Sequence, residues 1–171
     1  MSDLGRVLVV DDEENIRRLF VKELAGPHRV VETAANGQEA RTACQTSHFD
    51  VVVLDVCLPD ENGVQLLAEL KKILQDAEIV LITGYGTISG AVEAMKTGAY
   101  DYITKPFELQ RLEFVLEKAF ERARLQRENR LLRKERQTNG QCRLVGQSAP
   151  ILAIQSMIPK VSRAEVPILI T

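Results

Sequence analysis

The chain has 171 residues, of which 45% are hydrophobic and 27% charged, and a formal net charge of −2. That length holds one full domain and a fragment of a second, and the near-neutral balance gives no overall basic footprint for gripping DNA. No apolar run reaches the length of a membrane span and the N-terminus turns acidic at Asp11, while Cys44, Cys57 and Cys142 lack metal-ligand spacing and fit free thiols in a reducing cytoplasm.

In chain order, Val7 to Val10 is a short aliphatic run that ends on Asp11 and Asp12. Ile16, Leu19, Phe20 and Leu24 then recur at helical spacing until Gly26-Pro27 stops them. A second strand is expected over Arg29 to Thr33, and a short helix carrying Ala40, Ala43 and Cys44 follows Asn36-Gly37. Asp50 to Leu54 reads as a strand buried on both faces, running into Asp55 and the turn cluster Pro59-Asp60-Glu61-Asn62-Gly63. Val64, Leu67, Leu70 and Ile73 line the next helix, and Glu78 to Ile82 the next strand, which ends on Thr83. Ile88, Val92 and Met95 are again spaced as a helix, with Gly98 as its C-cap. Tyr100 to Thr104 is a last strand before Lys105-Pro106. From Glu108 to Gln137 there is neither Pro nor Gly, so one long helix is expected. Behind it come a short amphipathic helix and one unpaired strand, too little for a core of their own.

Strands that alternate with helices predict a parallel sheet covered on both faces, and in such sheets chemistry collects at the carboxyl ends of the strands. Those ends carry Asp11, Asp12, Asp55, Thr83 and Lys105. Carboxylates packed together repel unless a cation joins them, and hard oxygen donors that leave room for water and phosphate suit Mg2+. With the metal bound, one carboxylate can attack a phosphoryl group, and Asp55 is central. Taken singly, Asp55 is as easily a loop residue or helix cap, and Asp11-Asp12 an N-cap. The joint pattern at four strand ends carries the reading.

LVVDDEE, VVLDVCLPDENG, LITGYG and DYITKPF, in this order, resemble the receiver domain of bacterial two-component response regulators from Arg6 to about Ala119. The resemblance implies a flavodoxin-like (βα)5 doubly wound sheet of order 2-1-3-4-5, a long C-terminal linker helix, and phosphorylation of Asp55 by a sensor histidine kinase. It also implies Mg2+ held by Asp12, Asp55 and the backbone carbonyl of Cys57, with Asp11 holding a metal-bound water. Lys105 would pair with the acids or the phosphate, and its bond to Pro106 would be cis. Thr83 and Tyr102 match the family's switch pair, while Cys57 and Tyr85 occupy positions that tune dephosphorylation.

The tail, LVGQSAPILAIQSMIPKVSRAEVPILIT, resembles the start of the AAA+ domain of NtrC-type regulators, which act with sigma-54 RNA polymerase. The division expected is a receiver over 1–120, a helical linker over 121–140 and a truncated AAA+ start over 141–171. The chain contains no G-x-x-x-x-G-K-[ST] and no recognisable helix-turn-helix, so it is expected to be no ATPase and no DNA reader by itself. DNA and the polymerase would be partners of the longer protein. Leu112, Leu116, Ala119 and Ala123, spaced four, three and four apart, with Leu125 and Leu132 beyond, are expected to form the seam of a homodimer that also uses the switch face. The other reading of that stripe packs the first half of the helix on the receiver. Two other functions compete with the switch: an aspartyl phosphatase, whose second acid would stand where Cys57 is, and a receiver-like dimerisation module that is never phosphorylated.

Overall fold

The computed structural model describes residues 4–84, 86–139 and 148–161. The chain divides into two compact units, residues 1–130 and 131–171. The first unit holds five parallel strands: β1 (Gly5–Val10), β2 (Arg29–Ala34), β3 (Val51–Asp55), β4 (Glu78–Thr83) and β5 (Asp101–Thr104). Their order is β2-β1-β3-β4-β5, the doubly wound order expected. Helices α1 (Glu14–Leu24), α2 (Gly37–Thr46), α3 (Gly63–Ile73) and α4 (Ile88–Thr97) join them, and α5 (Leu109–Asn139) follows. The second unit takes in the last residues of α5 and, further on, α6 (Ala149–Val161). The strand expected at the chain end lies outside the described residues.

Side chains of a strand alternate between faces, and here both faces are covered, so the alternation produces two cores instead of one wet side. Leu8, Val10, Val52, Leu54, Ile79 and Leu81 pack with Ala40 and Cys44 of α2 and Leu66, Leu67 and Leu70 of α3. Val7, Val9, Val51, Val53, Val80, Ile82 and Ile103 face the other way, against Phe20 and Leu24 of α1 and Leu112, Leu116 and Ala119 of α5. Local signals set the helix starts. Asn36, Asn62 and Thr87 each accept a backbone N–H in the first turn of α2, α3 and α4. Gly98 ends α4 at φ 105°, the left-handed cap that glycine adopts without strain.

One expectation needs correction. The stripe Leu112, Leu116, Ala119, Ala123 is buried in the chain's own core and is not free to form a dimer seam. A 4-3-4 spacing marks an apolar helix face, and it is blind to whether the partner is a sheet or another helix. Ile88, Val92 and Met95 lie on a helix, as their spacing predicts, and all three are exposed, Ile88 by 88%. The side chain that α4 buries is the small Ala94.

Candidate phosphoacceptor and cation site

The carboxyl edge of the sheet gathers its polar residues because four of the five strands run into a charged or hydroxyl residue. Asp55 is the last residue of β3 and Thr83 the last of β4; Asp11 and Asp12 follow β1, and Lys105 follows β5. One carboxylate oxygen from each of Asp11, Asp12 and Asp55 lies within 4.8 Å of the others. Asp11 and Asp55 are 2% and 5% exposed, whereas Asp12 opens to solvent.

Hydrogen bonds define what each acid is free to do. Lys105 Nζ donates to Asp11 Oδ2 at 2.8 Å and to Asp55 Oδ2 at 2.6 Å, and lies 3.5 Å from Glu13. Glu13 N–H donates to Asp11 Oδ1 at 2.9 Å, and Cys57 N–H to Asp55 Oδ1 at 2.8 Å. Among the described residues, no side chain pairs with the Asp12 carboxylate. The capping role for these acids fails: the N-cap position of α1 is Glu13, with no side-chain cap. Instead, Arg17 of α1 donates to the main-chain carbonyls of Asp11 and Asp12 at 2.7 and 2.8 Å, fixing the loop that carries both acids.

The electrostatics follow. Burial pushes the Asp11 carboxyl above the usual carboxylate range, and the bonds from Lys105 and the Glu13 amide offset that only in part. Burial works against the Lys105 ammonium too, but its hydrogen bonds to Asp11 and Asp55 prevail and hold its pKa well above the ordinary lysine value. Lys105 is therefore charged throughout the physiological range. Its bond to Pro106 is cis, and its N–H donates to the Thr83 carbonyl at 2.7 Å, tying the β5 end to β4.

Three carboxylates against one ammonium leave two negative charges in a pocket of hard oxygen donors. That donor set fits a small divalent cation with room for water or phosphate. Thr83 is buried beside this edge, and Tyr102 is half-buried on β5 against the α3–α4 side of the core. Cys57 is exposed, and Tyr85 and Cys142 lie outside the described residues. Sequence reasoning missed Arg17 and also Arg41, which binds Glu61 in the turn after Asp55. Neither stands in a recognisable motif, and for Arg17 the only available signal was its place one helical turn after the paired acids.

Comparison with known proteins agrees with this geometry. The response regulator receiver domain family matches residues 7–117. Regulatory protein AtoC of Escherichia coli is 33% identical over 82% of this chain and 31% of its own length. Response regulator protein PilR of Pseudomonas aeruginosa is 31% identical over 97% of this chain and 36% of its own. Among solved structures, NtrX of Brucella abortus in complex with ADP has a TM-score of 0.69 at 36% identity, covering 92% of this chain and 34% of that one. The beryllofluoride-activated NtrC4 receiver domain dimer has a TM-score of 0.66 at 38% identity, covering 69% and 98%. The chain thus spans about a third of the length of the curated relatives it matches. Among the described residues no helix is long and apolar enough to cross a membrane. With the acid cluster, the sheet order and the matched span in agreement, the chain belongs to the response regulator receiver family, in the company of NtrC-type, sigma-54-dependent regulators.

Proposed function

We propose that this chain is a phosphorylation-controlled switch in which Asp55 takes a phosphoryl group from the phosphohistidine of a sensor kinase. The observation that carries the reading is the unbalanced cluster: three convergent carboxylates with one lysine, which bonds Asp11 and Asp55 and leaves Asp12 without a side-chain partner among the described residues. A module serving only as scaffold has no reason to bury like charges together, which weighs against the unphosphorylated dimerisation module.

Mg2+ would be held by Asp12, Asp55 and the Cys57 carbonyl, with Asp11 on a bound water, and supplies charge neutralisation between the acids and the incoming phosphate. An Asp55 oxygen attacks phosphorus as the kinase's P–N bond breaks, giving an acyl phosphate on Asp55 and a neutral histidine on the kinase. Lys105, already bonded to Asp55, turns to a phosphoryl oxygen and balances its charge. Thr83 donates its hydroxyl to the same group, and Tyr102 repacks into the space so freed, biasing the face formed by α4, β5 and α5. Cys57 and Tyr85 set how quickly water removes the group. The chain is a signalling module, and its own chemistry is self-phosphorylation from a donor and hydrolysis of the aspartyl phosphate by water to release inorganic phosphate.

The output is control of an AAA+ domain in the longer protein, which with sigma-54 RNA polymerase and DNA would complete the regulator in the cytoplasm. A homodimer carries that output. With the inner stripe of α5 committed to the core, the surfaces open to a second copy include the α4 side chains Ile88, Val92 and Met95 and, on α5, Leu125 and Leu132. The test is the intact mass after incubation with a small phosphodonor. One phosphoryl adduct is expected on the native chain, and none on Asp55→Ala or without Mg2+. An adduct that survives in Asp55→Ala would move the phosphoacceptor elsewhere.

A further inference from the structure

A loop made of Pro59, Asp60, Glu61, Asn62 and Gly63 has the composition of a mobile turn, yet here it is held at both neck and tip. At the neck, Cys57 and Asn62 form a β-bridge, and Gly63 N–H donates to the Val56 carbonyl at 2.8 Å. Gly63 also passes so close to β3 that a Cβ on it would lie 2.2 Å from the Asp55 carbonyl oxygen, a position only glycine fills. At the tip, both carboxylate oxygens of Asp60 are engaged, by Gly37 N–H at 3.1 Å and Gln38 N–H at 3.2 Å in the first turn of α2. These amides, Gly37's foremost, hold the Asp60 carboxyl below the usual range. Glu61 takes the Arg41 guanidinium in two parallel bonds of 2.5 and 2.6 Å, and the same arginine reaches Glu69 of α3 at 2.8 Å. The bond to Glu61 is the main reason the arginine is held above even its own high pKa.

Joining β3 to α3 needs none of this, because the neck contacts already close the loop. What the tip contacts add is a fixed distance between α2 and the backbone that follows Asp55. We propose that the first turn of α2 and Arg41, acting through Asp60 and Glu61, are positioning elements that hold the Cys57 carbonyl in place and so set the cation affinity of the acid cluster. The inference rests on the metal-site reading above and extends the site to a helix that contributes no ligand. Loss of a group bonded directly to a metal ligand costs about 10–100-fold in affinity, so a clamp one step further out is expected to act at about 3–10-fold.

The experiment titrates Mg2+ alone, by calorimetry, into the 171-residue chain and four variants, and follows amide exchange across Val56–Gly63 in the metal-free protein. Arg41→Ala is expected to weaken Mg2+ binding about 3–10-fold and to speed exchange in the loop. The charge swap Arg41→Glu with Glu61→Arg restores binding to within about twofold, and Glu69→Ala, which leaves the Glu61 bonds intact, changes nothing. Gly37→Ala separates positioning from stability. Its new Cβ would lie 1.8 Å from Glu61 Oε1 and displaces that flexible carboxylate, while alanine strengthens the helix. Affinity then falls with no loss of thermal stability, a combination that a merely structural contact does not produce. Native-like Mg2+ binding in both Arg41→Ala and Gly37→Ala overturns the proposal. A native chain that binds no Mg2+ overturns the metal-site reading instead, and the clamp is then judged on exchange, where unchanged protection of the loop in Arg41→Ala rejects it.

Discussion

The sheet has an acidic group at each end, and the two are treated in opposite ways. At the amino edge, Asp50 accepts the Arg6 N–H at 2.8 Å and pairs with Arg127 of α5. Glu78, 2% exposed, accepts from Lys71 at 3.0 Å, Gln126 at 3.0 Å and Arg122 at 2.9 Å, and Asp76 pairs with Arg130. Every one of these acids has a cation of its own, mostly from α5. At the carboxyl edge Lys105 bonds Asp11 and Asp55, and no described side chain pairs with the Asp12 carboxylate. Neutralised acids hold α5 against the receiver through Arg130; the acids at the other edge are left under-neutralised. The lesson is that burial of a carboxylate says little about its role until its cations are counted.

The largest effect expected from this contrast is at the amino edge. Glu78→Ala removes the centre of a buried network and should lower folding stability by about 3 kcal/mol, read from chemical denaturation. Next in size is the response to the metal. Mg2+ at a hundredfold excess over its Kd should stabilise the native chain by about 2.7 kcal/mol, a gain that disappears in Asp55→Ala. Smaller, and opposite in sign to the first, metal-free Asp12→Asn should be more stable than the native chain by about 0.5–1 kcal/mol, since a like charge is removed from the cluster without breaking a bond to Lys105. If Glu78→Ala were harmless and Asp12→Asn destabilising, the contrast between the two edges would collapse. The smallest effect concerns thiols. Burial pushes Cys44 up to about 11, so a maleimide near pH 8 should label exposed Cys57 and leave Cys44 unreacted in the folded protein.

Much of this was legible in the residues. Aliphatic runs such as Val51–Leu54, buried on both faces, announced parallel strands, and the polar residues that end four of them named the site directly. Strand ends were off by a residue or so; Asp55 itself belongs to β3, because the ladder to β4 continues through its pairing with Ile82. The failures have a common cause. Periodicity identifies a helix face without naming its partner, so Leu112 to Ala123 read as a dimer seam although the face packs on the chain's own sheet, and the spacing of Ile88, Val92 and Met95 marked a helix without showing that its buried contact is Ala94. Long-range ion pairs are invisible for a similar reason. Arg41 and Glu61 are twenty residues apart, and only the packing of α2 beside α3 makes them neighbours.

The acid cluster draws on residues from Asp11 to Lys105, and β5, which delivers Lys105, is an outer strand of the sheet. No shorter stretch contains the site. During synthesis, the Asp55 carboxylate is made long before its lysine, and the second core closes only when α5 follows. On the switch proposed above, a half-made receiver would have neither the cation to quiet its acids nor the geometry to accept phosphate. Competence to receive the signal and completion of the domain would then arrive together, and an unfinished chain on the ribosome could not be switched on early.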